Sequence, residues 1–259
     1  MNFMWLTSMI TLALFVGMLL LLDLGRRVGV RRLANDPEGG QAGTGAVDGA
    51  VFALLGLLVA FTFSGAASRF DERRNLIVQE TNDIGTAYLR LDLLPASAQP
   101  ALRDLFRRYV DSRLDVYQKL PDIEASRAAL ASSTKLQGEI WNHAVAAGRM
   151  EGAPPAATML LLPALNQMID ITTTRTMAAQ IHPPLVIFAM LFALALAGAL
   201  LAGYGMAGGK SRSWIHMIGF AAVMAGAVNV IIEIEYPRMG LVRVDAFDQA
   251  LVQLRDSMK

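Results

Sequence analysis

Apolar positions fall along this chain in four long runs, and between the second and third runs they thin into spaced stripes. Phe3–Leu22, Val47–Ala67, Leu185–Tyr204 and Trp214–Ile232 are each close to continuously apolar. Roughly 20 such residues let a helix cross a hydrocarbon core. The pattern therefore predicts four transmembrane helices in two pairs. Asn35–Gly45 (NDPEGGQAGTG), rich in turn formers, links the first pair, and GGKS at Gly208–Ser211 is a short turn in the second.

The stretch between the pairs is polar enough to meet water, and its apolar residues keep helical spacing. After Phe70 a stripe runs Ile77, Thr81, Ile84, Tyr88, Leu91, with steps of four and three, a narrow seam facing another helix. No proline occurs between Pro37 and Pro95, so the second span and this stripe can form one rod. At about 1.5 Å per residue it would be roughly 70 Å long from Val47 to Leu94. Leu102, Leu105, Phe106, Tyr109, Val116, Tyr117 and Leu120 mark a second helix that ends at Pro121. A third runs from about Asp122 to Ala147 and carries Ile140 and Trp141. GRMEGAPP reads as a loop. A fourth helix, about Thr158 to Gln180, leads to the third span through Pro183–Pro184, where proline suits a helix start. The fold class is all-α, an integral membrane protein. Residues 1–67 hold the first two spans, 68–182 a helical extramembrane domain, 183–235 the last two spans, and 236–259 a tail with a short helix.

Composition agrees. With 54% hydrophobic residues and a mean hydropathy of +0.42, the chain is more apolar than an ordinary soluble domain, and its surroundings are a lipid bilayer. The net charge is +1 with no long basic block, which argues against nucleic acid as a partner. The absence of cysteine removes disulfides, thiolate nucleophiles and thiolate-bound metals. The first run reads as a retained span, because Arg26, Arg27, Arg31 and Arg32 follow it and no A-x-A-like cleavage site is present. Charge does not choose a side. Arg26, Arg27, Arg31, Arg32, Lys210 and Arg212 flank the short loops, against Arg69, Arg73, Arg74, Arg175, Arg238 and Arg243 opposite.

Catalytic chemistry finds little support. His143, His182 and His216 lack the spacing of metal ligands, and GKS at Gly209–Ser211 lacks the upstream glycine and strand of a phosphate loop. The reading is of no enzyme, no cofactor and no metal. Just past the second span, VQETNDIGTAYLR gathers Glu80, Asn82, Asp83, Thr86 and Arg90. These form either a solvated, ion-paired face or a charged vestibule that meets ions or a neighbouring subunit. DITTTRT (Asp170–Thr176) offers hydroxyls and Arg175 to that face, with Asp83 and Arg175 as a candidate pair. Inside the spans Thr62, Ser64 and Asn229 are mild polar cases, and Glu233 and Glu235 close the fourth span at the interface. No span carries a charge at its middle, which argues against a transporter with a midplane carboxylate. Gly56, Ala60 and Ser64, four apart, make a small-residue stripe that permits close helix approach. Leu57 and Phe61 lie beside it. In a lone bundle these residues would pack; in a ring of subunits they would make an apolar constriction that gates by dewetting.

VFALLGLLVAFTFSGAASRFDERRNL resembles the second transmembrane segment of bestrophins at Phe52, Leu54, Gly56, Ala60, Ser68, Phe70, Asp71 and Arg73. Glu233–Leu254 is similar to the bestrophin stretch after the last span. From about Leu20 the chain resembles a bacterial family called bestrophin-like, through LLGLLVAFTFSGAASRFD, ETNDIGTAYLRLDLLP, MIDITTTRTM and RVDAFDQAL. Bestrophins are pentameric channels, mainly for anions, though some bacterial ones pass cations, and their second span lines the pore. The resemblance implies a homo-oligomer, a pentamer, that passes small inorganic ions in the bacterial inner membrane, with the middle domain and termini in the cytoplasm. It places the neck at Leu57 and Phe61 with Ser64 beside it, and Gly65 where a third, large apolar neck residue is usual. Arg73 and Arg74 stand where bestrophins carry an aromatic pair. Glu80, Asn82, Asp83, Arg90 and Arg175 would form the vestibule or an inter-subunit cluster. The alternative is a non-conducting scaffold or sensor that binds a partner through its helical domain, with the stripe from Ile77 to Leu91 closed within one subunit.

Overall fold

The computed structural model describes residues 3–36, 44–209 and 211–258; most of the first linker and Lys210 of the second lie outside the described residues. Among the described residues the regular structure is helical throughout. The helices are α1 (Phe3–Asn35), α2 (Thr44–Leu89), α3 (Gln99–Gln118), α4 (Ile123–Gly148), α5 (Pro155–Gln180), α6 (Leu185–Gly205), α7 (Trp214–Glu235) and α8 (Asp245–Ser257). Short 3-10 turns follow α2 at Arg90–Leu93 and α6 at Met206–Gly208. Four helical stretches, Phe3–Asn35, Gly45–Leu93, Pro155–Gly208 and Trp214–Glu235, are long and apolar enough to cross a membrane. The expected rod is present: without an internal proline, α2 runs unbroken through Ser68 to Leu89. The chain divides into two compact units, residues 1–68 with 182–236 and residues 69–181 with 237–259.

The first unit is built where α1, α6 and α7 pack together. Leu14, Met18 and Leu22 of α1 meet Leu191, Ala195 and Ala199 of α6 and Ala221, Ala225 and Val228 of α7 in one apolar core. Glycine sets the α1–α6 approach. A Cβ on Gly25 would lie 2.0 Å from the Leu200 carbonyl oxygen, and one on Gly203 would lie 2.0 Å from that of Leu22. Two backbones in such contact exclude any side chain between them. The span part of α2 touches this core through side chains: Phe52 and Leu55 each come within 3.3 Å of a Cβ built on Gly198, and Phe52 meets Phe220 edge-on at 6.2 Å.

The second unit packs α3, α4, α5 and α8 around the later part of α2. Its core holds Ile84, Leu91, Phe106, Tyr109, Ile140, Leu161, Leu165 and Leu251, all fully buried or within 1% of it. The stripe foreseen on α2 is the buried one, with Ile77, Ile84, Tyr88 and Leu91 closed within this chain. Helix starts follow local chemistry. Pro100 sits in the first turn of α3 and Pro155 opens α5, where a missing N–H costs nothing. The Asp122 carboxylate accepts from Ala125 N at 3.0 Å and caps α4. The tail does more than end the chain: Leu251 and Met258 are buried against the helical core, and Arg255 grips Asp111 through two bonds of 2.6 and 3.0 Å.

Candidate functional site

The span part of α2 has one packed side and one open side. Leu55, Thr62 and Ala66 are buried, and the Thr62 hydroxyl returns to the Leu58 carbonyl at 2.7 Å, which satisfies it without a neighbour. Leu57 and Ser64 each follow a buried residue by two positions, about 200° around the helix. They therefore face directly away from the packed side. Leu57 is 51% exposed and Phe61 67% exposed; Ser64 and Ala60 are also exposed. A Cβ on Gly56 meets nothing within 4 Å. The small-residue stripe of α2 thus stays open among the described residues; the close approaches in this unit occur at Gly25, Gly29 and Gly203 instead. Sequence spacing marked α2 because its small residues fell four apart, yet Gly25 and Gly29 carry the same spacing.

Beyond the span, the polar cluster separates into a buried centre and an exposed fringe. Glu80 stands at a core position of α2, one turn after Ile77 and one before Ile84, and is completely buried. Arg113 of α3, equally buried, donates from Nε to Glu80 Oε1 at 2.5 Å. Arg175 of α5 donates to the other carboxylate oxygen and to Asp248 of α8 at 3.2 Å. Arg238 closes the far side with bonds of 2.5 and 2.8 Å to the two Asp248 oxygens. Tyr117 lies among the three guanidinium groups, its ring centroid 3.7 Å from Arg175, 4.8 Å from Arg238 and 5.3 Å from Arg113, and its hydroxyl accepts from Arg113 at 2.5 Å.

Electrostatics follow from that arrangement. Burial by itself would raise the Glu80 carboxyl, but the charges and hydrogen bonds of Arg113 and Arg175 outweigh it and hold the group below its ordinary value. Burial, helped by the Glu80 charge, pushes the Tyr109 phenol up to about 12. Tyr109 therefore serves as a neutral hydroxyl, within 3.1 Å of Thr172 and of Gln137. Asp83 runs opposite to Glu80: partial burial and then the Glu80 charge raise its carboxyl.

The expected pairing of Asp83 with Arg175 is not formed. Asp83 lies three residues along from Glu80 and off the buried seam, so Arg175 reaches Glu80 and Asp248. Asn82 and Thr86 point outward. Arg90 donates to the Leu160 carbonyl at 2.5 Å. The hydroxyls of Thr174 and Thr176 bond back to α5 carbonyls at 3.2 and 2.7 Å. Arg73 and Arg74 also have defined places. Arg73 caps the end of α5, donating to the carbonyls of Ala178 at 3.1 Å and Ile181 at 2.9 Å. Arg74 pairs with Asp71 at 2.9 Å and lies 4.1 Å from the Phe247 ring centroid.

At the end of the bundle where α1 begins and α7 ends, Glu233 and Glu235 are buried. Glu233 accepts from Thr7 at 3.4 Å, and Glu235 lies 3.0 Å from His182 Nδ1. The His182 ring stacks on Tyr236 at 4.3 Å, and Tyr236 meets Phe3 at 5.3 Å. No group of three or more His, Cys, Asp or Glu able to hold a metal occurs among the described residues.

This combination of four apolar spans, a rod-like second span and a helical unit stapled by its own tail has known relatives. Two solved variants of a bacterial bestrophin homologue from Klebsiella pneumoniae are similar to this chain. One has a TM-score of 0.70 at 16% identity over 94% of this chain and 98% of the other. The second has a TM-score of 0.64 at 15% identity over 95% and 98%. At that identity the likeness establishes the fold. No curated protein matches the chain. The model of the Bestrophin-like domain matches residues 12–246, which takes in part of the first span, the other three spans and most of the helical unit, and the chain therefore belongs to the Bestrophin-like family.

Proposed function

We propose that this protein is an oligomeric ion channel of the bacterial inner membrane, with α2 of each copy around a common axis. One observation carries the reading: the face of α2 that bears Leu57, Phe61 and Ser64 is exposed among the described residues, while the opposite side of the same helix is buried. A row of large apolar residues left open on a spanning helix suits a neck that closes by dewetting. Leu57 and Phe61 form that neck, with Ser64 beside it, and Glu80, Asn82, Asp83, Arg90 and Arg175 belong to the wall beyond it. Asn82 and Asp83 are the members that can meet ions; Glu80 and Arg175 hold the wall rigid. Family membership and the likeness to a bacterial bestrophin homologue support the reading. The test is ion flux from liposomes that hold the purified full chain. Phe61→Ala is expected to raise flux over wild type. Equal silence of both, in protein of verified oligomeric state, overturns the neck.

A second reading, a non-conducting scaffold or sensor, draws on the closure of the Ile77–Leu91 stripe inside one chain. Such a seam needs no neighbouring subunit. Native mass spectrometry in detergent separates the two: a monomer or dimer favours the scaffold, and a ring of several copies the channel.

A further inference from the structure

We propose that the core of the helical unit holds one small monovalent anion, of chloride size, against Arg113 Nη1. Two independent observations point to it. The first is a donor without an acceptor. Arg113 is completely buried; its Nε goes to Glu80 and its Nη2 to the Tyr117 hydroxyl. Nη1, on the other edge of the guanidinium, is buried too and makes no hydrogen bond among the described residues. The second is a charge that does not cancel. Glu80 and Asp248 face Arg113, Arg175 and Arg238, two carboxylates against three guanidiniums. Adding the more exposed Asp245, which meets both Arg238 and Arg243, makes three against four and leaves the same single positive charge.

The neighbouring groups do not remove that charge. Arginine keeps its proton at neutral pH. Burial raises the Tyr117 phenol and pushes that of Tyr109 up to about 12, so both stay neutral. Tyr109, Thr172 and Gln137 satisfy one another. Asp83 lies off the seam and pairs with none of the three arginines among the described residues. A buried donor without an acceptor costs free energy, and a buried charge without a partner costs much more. A water molecule would meet the first need only; a monovalent anion meets both. Burial also sets the size of the occupant. Glu80 and Arg113 are enclosed, as are Phe106, Tyr109 and Val110 on the same helix as Arg113, so no side chain of a neighbouring copy reaches Nη1. Sulfate or phosphate would overshoot the one surplus charge and would need more donors than this nitrogen supplies. A halide accepts from any direction and carries the single charge required. The site stands apart from the channel reading, since it lies in a packed interior and not on the open face of α2.

The experiment exchanges sodium gluconate for sodium chloride or bromide at one ionic strength and follows the thermal midpoint of the full chain in mild detergent. Gluconate is too large to enter a closed core. Chloride and bromide are expected to raise the midpoint of wild type, by about 3–6 °C for each tenfold of halide beyond half-saturation. Arg113→Met leaves Glu80 with Arg175 and Asp248 with Arg238, two charges of each sign, and is expected to lose the halide dependence. A second measurement does not rely on that variant folding. Crystals of wild type grown in bromide are expected to show an anomalous scattering peak in contact with Arg113 Nη1. A midpoint indifferent to halide overturns the proposal. So does a dependence that persists in Arg113→Met, which would mark an adventitious ion only, bound elsewhere. Water or nothing beside Nη1 in the bromide crystals overturns it as well.

Discussion

Glu80 and Arg113 meet at 2.5 Å with both side chains completely removed from solvent. Such a pair adds little beyond what apolar residues would give, but breaking it strands a charge. Glu80→Gln leaves Arg113 and Arg175 facing each other across a neutral amide. The expected loss is about 3–5 kcal/mol of unfolding free energy, read as a lowered thermal midpoint by circular dichroism in detergent. Asp83→Asn, one turn away and outside the network, is the control and is expected to be neutral or slightly stabilising. Equal losses for both would contradict the division into a buried centre and an exposed fringe.

The same carboxylate sets an acid limit. Because the Glu80 carboxyl is lowered in the folded protein, its contribution is complete above its unfolded value, about 4.3. It is lost only as pH falls further, toward the folded value. Stability attributable to Glu80 is therefore flat from neutral pH down to about 5, then declines by up to about 1.4 kcal/mol per pH unit for this one group. Thermal melts between pH 8 and pH 3 should show that decline in wild type and a shallower one in Glu80→Gln. Asp83 carries the opposite sign: its carboxyl is raised, so its charged form costs stability above the unfolded value and the cost is relieved on acidification.

Glycine 25 and glycine 203 predict a sharp positional contrast inside the bundle. A methyl group at Gly25 or Gly203 runs into backbone oxygen at 2.0 Å, whereas one at Gly56 meets nothing. Backbone cannot yield as a flexible side chain can. Gly25→Ala and Gly203→Ala are each expected to lower the thermal midpoint and the monodisperse yield in detergent. Gly56→Ala is expected to be neutral, or to gain up to about 1 kcal/mol from helix propensity, unless a neighbouring copy closes on that face.

Much of this architecture could be read from spacing, and the exceptions share a cause. The α2 rod was legible because a missing proline and a four-three stripe are local facts. The partners of Glu80 were not, because Arg113, Arg175 and Asp248 come from three other helices. A signal existed: in α3 the apolar positions Phe106, Tyr109, Val110 and Val116 leave Arg113 in the middle of a buried face, and an arginine at a core position implies a carboxylate opposite. Glu80 occupies the matching position in its own stripe. The tail was underrated for a similar reason, since Asp248 looks like an ordinary first-turn acid until Arg175 and Arg238 close on it. At Gly56 the spacing shows that helices can approach, and among the described residues none does.

Arg73 gives a prediction that sequence resemblance alone would miss. The Arg73 guanidinium holds the carbonyls of Ala178 and Ile181 at the end of α5. Arg73→Phe, which removes the guanidinium, is expected to fray the last turn of α5 and raise amide exchange at residues 178–181 by about tenfold or more, the worth of a charged hydrogen bond. Arg74→Phe should leave that turn unchanged. Hydrogen exchange followed by mass spectrometry distinguishes the two.

Leu55 and Phe61 stand on the packed side and the open face of one helix. Leu55 is 3% exposed and packs over Gly198, so Leu55→Ala is expected to cost about 2–3 kcal/mol of stability as a cavity forms. Phe61 is 67% exposed in the chain, so Phe61→Ala should change thermal stability by less than about 0.5 kcal/mol while raising liposome flux. Leu57→Ala should act in the same direction as Phe61→Ala, and the two together should exceed either alone if both rings of side chains narrow one path. A Phe61→Ala variant that loses stability without gaining flux would place Phe61 in a packed contact between copies. The neck would then have to lie elsewhere on α2.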